Sequence, residues 1–309
     1  MKTIFIDGKA GTTGLRIYKR LSSREDIEII TLSEEDRKST ECRKKALNSC
    51  DIAFLCLPDD AAREAVGLVE NPAVTVIDTS TAHRTETGWA YGFPELDGIF
   101  AENIKNGKRI AVPGCHAGGF IALVYPLIQA GILTVDSRLV CNSITGYSGG
   151  GKRMIAEYES ETAAEAYSAP RKYGFNQNHK HLKEMQKIAG LKTPPVFCPV
   201  VSNYYSGMEV TVPLFAEDIN GFSADDIKKV YADKYKGPVV SYAESLDDGG
   251  FISGNKYSGF DSMKITVAGN GERIMLISAY DNLGKGASGA AVECMNMVLG
   301  ENITKGLCL

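Results

Sequence analysis

Residues 2–21 read KTIFIDGKAGTTGLRIYKRL, and this stretch decides the fold. Residues 2–7 form an apolar run of strand length, residues 8–14 are rich in glycine, and residues 15–21 continue with helical spacing. Gly8, Gly11 and Gly14 give the pattern G-x-x-G-x-x-G between the strand and the helix. Glycine is needed there because a side chain would hold the backbone N–H groups away from a phosphate. The first amides of the helix, with the hydroxyls of Thr12 and Thr13, suit the pyrophosphate of a dinucleotide.

Outward from this turn the same alternation repeats. Apolar runs at 27–32, 51–57 and 74–78 read as strands, and segments at 42–49 and 60–70 read as helices. Short, nearly continuous apolar strands separated by helices predict a parallel sheet covered on both faces, a doubly wound α/β domain of Rossmann type. Past Arg109 the pattern changes. A strand ends in VPGC at 112–115, and 118–130 reads as a strongly apolar helix. Five longer runs follow, at 137–147, 195–203, 207–216, 261–270 and 273–282. Their clearer alternation predicts an α+β domain with a mainly antiparallel sheet. Charged helices at 181–188 and 224–235 interrupt the strands, and an apolar helix at 286–300 is expected to return to the first domain. The expected division is 1–114 with 284–309 for the nucleotide and 115–283 for catalysis and oligomerisation.

The chain has 309 residues, 44% of them hydrophobic and 23% charged, which is ordinary for a globular protein of two domains. A formal net charge of -4 argues against nucleic acid as the main partner. The start carries no secretory pattern, and no apolar run reaches membrane-spanning length, so a cytoplasmic location without a membrane partner is expected. The eight cysteines contain no C-x-x-C pair, and their spacing suits neither a zinc site nor a disulfide framework. Cys56 and Cys141 lie in apolar runs and read as small buried hydrophobes.

Cys115 is different. It stands at a strand-to-helix junction in VPGCHAGG, among small residues. The positive end of a helix dipole and unpaired amides stabilise a thiolate there, and the same amides suit an oxyanion on an attacked carbonyl.

At this point a resemblance is apparent. IDGKAGTTGLRI, DTSTAHR, YGFPEL, VPGC, GYSGGGK and KGASGAAVECMN, in this order, are similar to the N-acetyl-gamma-glutamyl-phosphate reductase family in its shorter form, over essentially the whole chain. The resemblance implies an arginine-biosynthetic reaction: N-acetylglutamyl phosphate, NADPH and a proton give N-acetylglutamate semialdehyde, NADP and phosphate. It makes Cys115 the nucleophile that carries a thioester. The family often has threonine near the position of Gly118, so this chain lacks a hydroxyl donor at that point of the turn. A homodimer or homotetramer is expected from the resemblance alone. The rivals are the same chemistry on aspartyl or aminoadipyl phosphate, and an NADP-binding redox sensor that switches at Cys115. A switch of that kind usually has a resolving cysteine close by, and the neighbouring sequence offers none.

Of four histidines, His179 and His181 lie in NHKHLKE, which resembles the family's H-x-H-x-x-E segment. His181 is the expected acid/base because imidazole titrates near neutral pH, with Glu184 one helical turn on to orient it. His179 remains the alternative. His116 ranks lower because neighbouring helical side chains diverge, and His83 in STAHR reads as shaping its loop. The anions of the substrate call for cations: Arg84, after the fourth strand, and Lys152, after the glycine-rich loop that carries Ser148. For the cofactor, Ser33, Arg37 or Lys38 suits a 2′-phosphate, while Glu34 equally suits a ribose hydroxyl. The choice stays open with a lean to NADP(H). Ser80 in DTSTAHR is placed with the cofactor, and Asn282, Lys285 and Gly286 are expected to close on the nicotinamide as the family implies.

Overall fold

Strands β1 (Lys2–Asp7), β2 (Ile27–Ile30), β3 (Ile52–Leu55), β4 (Thr75–Asp78), β5 (Ala90–Tyr91) and β6 (Arg109–Ala111) pair in the order β2-β1-β3-β4-β6-β5. All five pairings are parallel. The computed structural model describes all 309 residues. They form two units, Met1–Gly114 with Ala287–Leu307 and Cys115–Gly286 with Cys308–Leu309.

In the first unit each strand sends alternate side chains to opposite faces. Ile4, Ile6, Ile52, Phe54 and Ile77 join one cluster, while Phe5, Ala53, Leu55 and Val76 join the other. Helices α1 (Thr12–Leu21), α2 (Thr40–Ser49), α3 (Asp59–Gly67) and α4 (Gly98–Asn106) connect the strands. The first face is covered by Ile17 and Leu21 of α1, Ile104 of α4, and Ala290, Ala291, Val292, Cys294 and Met295 of the C-terminal helix Gly289–Leu299. The second face is covered by Ala46 and Leu47 of α2 and Ala65 of α3. Because β2 and β3 flank β1 on opposite sides, the chain reverses its direction of winding at β1. The crevice outside the carboxyl ends of β1 and β3 is therefore where such a sheet takes a ligand. Gly8–Gly14 lies at that point. The helix of this turn starts at Thr12, three residues earlier than its spacing predicts, and so includes both threonines.

The second unit opens with α5 (Cys115–Gln129), also three residues earlier than predicted, so Cys115 is its first residue. Strand β7 (Val140–Gly146), helix α6 (Gly151–Tyr158), strand β8 (Arg171–Lys172), helix α7 (His181–Ala189), strands β9 (Val196–Ser202) and β10 (Met208–Phe215), helix α8 (Ala224–Lys234) and strands β11 (Val240–Tyr242), β12 (Met263–Gly269) and β13 (Arg273–Tyr280) complete it. The sheet order is β11-β12-β13-β10-β7-β9-β8. It is mixed. The pairs β12/β13, β13/β10, β10/β7 and β9/β8 are antiparallel, while β7/β9 and β11/β12 are parallel. The parallel pair β7/β9 follows from the crossover between them, which contains α6 and α7; alternation within a strand does not report the direction of its neighbour.

Helix α5 lies on this sheet. A Cβ added at Gly119 would strike the Tyr280 hydroxyl, Ser278 Oγ and Val210 Cγ2, so glycine sets how closely the helix approaches β10 and β13. Behind α5, Tyr231 and Tyr235 donate to the carbonyls of Leu123 and Ala122 (2.6 and 2.7 Å). The other face of the sheet carries exposed apolar side chains, with Ile144 37%, Val196 55% and Met275 43% accessible. No helix is long and apolar enough to cross a membrane.

Candidate active site

In the second unit the thiol stands on the first residue of α5. The chain reaches it through β6, the 2.8 Å bond from Val112 N to Asp78 O, and Pro113-Gly114. Cys115 is half-buried, so it is neither sealed in the core like Cys50, Cys141 and Cys294 nor exposed like Cys308. Burial pushes the thiol of Cys50 up to about 12 and that of Cys141 well above its usual value, the wrong direction for a nucleophile. Cys56, expected to be fully buried, is half-buried, because it has left β3 and entered the loop facing the glycine turn. The Tyr280 hydroxyl donates to the Cys115 carbonyl and pins the start of the helix. A Cβ at Gly286 would lie 3.1 Å from Cys115 Cβ, so the absence of a side chain lets the 284–288 turn pass beside Cys115.

Three histidines gather next to it. His116 is buried, with Nδ1 2.7 Å from Ser143 Oγ and Nε2 2.9 Å from the Tyr173 hydroxyl. Its ring centroid is 5.7 Å from that of His181 and 6.0 Å from that of His179, and those two are 4.7 Å apart. Burial, reinforced by charge on His179, pushes the His116 imidazole down to about 3, so it is neutral at physiological pH. His181 opens α7 and is buried, as is Glu184 one turn on. The His181 backbone N–H donates to His179 Nδ1 (3.2 Å), which fixes the tautomer of neutral His179 with its proton on Nε2. His116, Tyr173 and Ser143 belong to this cluster and were not legible as such. Tyr173 sits in an irregular loop with no motif around it, and the divergence of neighbouring helical side chains does not prevent His116 from meeting α7.

The remaining residues of the second unit divide. Asn282 is buried and bridges two loops, accepting from Gly207 N (2.9 Å) and donating to Ser148 Oγ (3.1 Å). Lys285 is buried, whereas Lys152, near the start of α6, is exposed.

In the first unit the glycine turn is packed against its own backbone. Gly8 has φ +82°, and a Cβ there would meet the Cys56 carbonyl; at Gly14 it would lie 2.5 Å from Gly8 O and 2.9 Å from Lys9 Cα. Gly11 is the N-cap of α1, and no side chain caps that end, so Thr12 and Thr13 follow uncapped amides. Beside the turn is a cavity of about 510 Å³ lined by Gly8, Leu32, Glu34 and four cations, Lys9, Arg37, Lys38 and Arg43. Arg37 pairs with Glu34 (2.8 Å), Arg43 with Asp7 (2.9 Å), and Ser33 Oγ donates to Asp36 (2.8 Å). Arg43 was missed by motif reading because it arrives on α2, far along the chain from the glycines.

After β4, Asp78 organises the DTSTAHR loop. It accepts from Ser80 N and Oγ (2.9 and 2.7 Å), and its Oδ2 lies 2.7 Å from His83 Nδ1. His83 stacks on Trp89 with 4.1 Å between centroids. Arg84 is buried and donates to Val112 O (2.8 Å) and Thr79 O (3.0 Å), tying together the carboxyl ends of β4 and β6.

Comparison with known proteins shows which families and folds this chain resembles. A family described as "Semialdehyde dehydrogenase, NAD binding domain" matches residues 3–106, and one described as "Semialdehyde dehydrogenase, dimerisation domain" matches residues 115–282. The N-acetyl-gamma-glutamyl-phosphate reductase of Trichormus variabilis is 44% identical, over 96% of either chain. That of Rhizobium meliloti is also 44% identical, over 96% of this chain and 98% of the other. Among solved structures, aspartate semialdehyde dehydrogenase II from Vibrio cholerae complexed with ASA superposes with a TM-score of 0.75 at 17% identity, covering 97% of this chain and 98% of that one. Aspartate semialdehyde dehydrogenase with NADP from Candida albicans gives 0.66 at 14%, covering 98% and 99%. At those identities the solved structures establish the fold.

Proposed function

Because the chain belongs to the N-acetyl-gamma-glutamyl-phosphate reductase family, we propose that its arginine-biosynthetic reaction, the NADPH-dependent reduction of N-acetylglutamyl 5-phosphate to N-acetylglutamate 5-semialdehyde, runs through a thioester on Cys115. The observation that carries this reading is a half-buried thiol on the first residue of a helix, beside a cluster of histidines. The helix N-terminus favours the thiolate, whose sulfur attacks the acyl carbon. The carbon–oxygen bond to phosphate breaks and inorganic phosphate leaves. Bound NADPH supplies the hydride. Collapse of the resulting thiohemiacetal breaks the carbon–sulfur bond and regenerates the thiolate. His181 takes the thiol proton at the start and manages the proton on the thiohemiacetal oxygen, oriented by Glu184. Two steps replace one difficult displacement.

The first unit fits the dinucleotide. Gly8, Gly11 and Gly14 let the turn fold tightly against backbone, and the amides of Thr12 and Thr13 that follow it suit the pyrophosphate. The neighbouring cavity brings four cations to the end of β2, where a 2′-phosphate needs them. Arg37, Lys38 and Arg43 hold that group, with Ser33 at the rim; Arg37 exchanges Glu34 for phosphate. Ser80, Asn282, Lys285 and Gly286 border the nicotinamide. Arg84, Ser148 and Lys152 meet the phosphate and carboxylate of the substrate. Arg84 also fixes the strand ends through its two carbonyl contacts.

Subunits associate through the exposed face of the seven-stranded sheet into a homodimer or homotetramer, in keeping with the dimerisation family matched there. The enzyme works in the cytoplasm on small molecules. The test is the reverse assay, in which N-acetylglutamate semialdehyde or aspartate semialdehyde is oxidised with NADP and phosphate. The acetylated substrate is expected to be preferred, and Cys115→Ala should bind NADPH while losing phosphate-dependent oxidation. Substantial turnover by that variant would remove Cys115 from the mechanism.

A further inference from the structure

Next to the nucleophile is an imidazole that cannot serve as a proton carrier near neutral pH. His116 is buried and neutral, held by Ser143 Oγ at Nδ1 and by the Tyr173 hydroxyl at Nε2 (2.7 and 2.9 Å), with Phe197 packed on it at 5.3 Å between centroids. A neutral imidazole has one donor and one acceptor nitrogen, so these two contacts have a direction. If Nδ1 held the proton, the hydroxyl of the fully buried Ser143 would have to place its own proton elsewhere, and the Tyr173 proton would be spent on Nε2. If Nε2 holds it, Ser143 donates to Nδ1, Nε2–H donates to the tyrosine oxygen, and every proton inside the triad has an acceptor. The second arrangement satisfies the buried hydroxyl and leaves the Tyr173 O–H to be given outward.

The tyrosine belongs to the histidine cluster, its ring centroid 6.3 Å from that of His116 and 6.2 Å from that of His179. Burial pushes its phenol up, and charge on Cys115 pushes it further, so the hydroxyl keeps its proton while it is held against His116. A protonated donor in this cluster is suited to the oxygen of an acyl group held on the sulfur. We propose that Tyr173 is a catalytic residue that donates to the oxygen of the acyl group on Cys115 as negative charge develops there, and that His116, braced by Ser143, is the positioning residue that aims it. This rests on Cys115 as the acylated residue. It adds a side-chain donor to the helix amides at a turn where Gly118 offers no hydroxyl.

The full-length enzyme tests this in the oxidative assay with NADP, phosphate and N-acetylglutamate semialdehyde. Tyr173→Phe is expected to lower kcat by about 10- to 100-fold, below the roughly 10² to 10³ typical of an oxyanion donor because the amides remain, with KM changed less than about threefold. NADP affinity and the rate of Cys115 alkylation should stay at parent values, which a collapsed loop would not allow. His116→Asn, which keeps a polar group near Ser143 but has none at the Nε2 position, should reproduce the loss. His116→Gln, which places an N–H near Nε2, should recover kcat to within about fivefold of the parent. The double variant Tyr173→Phe/His116→Asn should be no slower than the slower single variant, since both remove one interaction. The proposal is overturned if Tyr173→Phe keeps its kcat or raises only KM, if both His116 variants behave alike, or if the two losses multiply. A normal Tyr173→Phe beside an inactive Cys115→Ala would discard the donor and leave the thioester reading standing.

Discussion

At the scale of single residues, neighbourhood decides role. Eight cysteines share one chemistry, yet burial raises the thiols of Cys50 and Cys141, while Cys115 stands half-buried on the first turn of a helix. The histidines are sorted in the same way. His83 is bound to Asp78 and stacked on Trp89, and His116 is held neutral. In the proposed mechanism this leaves His179 and His181 for proton transfer. His181→Asn is expected to slow turnover by about 10² or more, the usual contribution of a general acid/base, with His179→Asn costing less. Steady-state kinetics of the two variants decide between them, and a larger loss from His179→Asn would exchange their roles. The thiol and the histidine pair were legible in the sequence because each lies in a short motif. Tyr173 and Ser143 were not, since they come from a loop and a strand that only the fold brings to His116.

At the scale of elements, the glycine turn is the best test case. Alanine is favoured over glycine inside a helix by about 1 kcal/mol, which would make Gly14→Ala stabilising if only α1 mattered. The added Cβ would lie 2.5 Å from Gly8 O, and overpacking of this kind costs about 1–3 kcal/mol. Since the blocking atoms are backbone, the clash wins. Gly14→Ala is expected to weaken NADPH binding at least about tenfold and to lower the melting temperature, both read by titration and thermal unfolding. An unchanged affinity would show that the turn yields without cost. Strand β1 and the helix after the turn could be read from apolar spacing, but the start of that helix could not. Thr12 and Thr13 have no apolar periodicity, and the N-cap Gly11 carries no side chain to announce itself. The same blind spot moved the predicted start of α5 past Cys115. The direction of β7 beside β9 was also invisible, because the crossover sets it and the strand does not.

At the scale of the whole molecule, one face of the seven-stranded sheet is left with Ile144, Val196 and Met275 exposed. Paired with a second copy, such a face hides apolar area at about 25 cal/mol per Å². Ile144→Glu combined with Met275→Glu is expected to shift the assembly towards monomers, because each would place a charge in a desolvated interface. Sedimentation or light scattering reads the result, and an unchanged mass would put the contact elsewhere. The α/β class was legible here because β1 to β4 carry near-continuous apolar runs. The exposed face was not, since half-exposed strands give the same alternation whether water or another subunit covers them.

The helix Gly289–Leu299 supplies Ala290, Ala291, Val292, Cys294 and Met295 to the core that contains Ile4, Ile6 and Phe54. Order of synthesis therefore works against the nucleotide unit. Its first strand leaves the ribosome well before the side chains that seal one flank of its sheet, because the second unit is encoded between them. Until they emerge, the nascent chain must keep that greasy flank out of trouble while the whole of the inserted segment is translated.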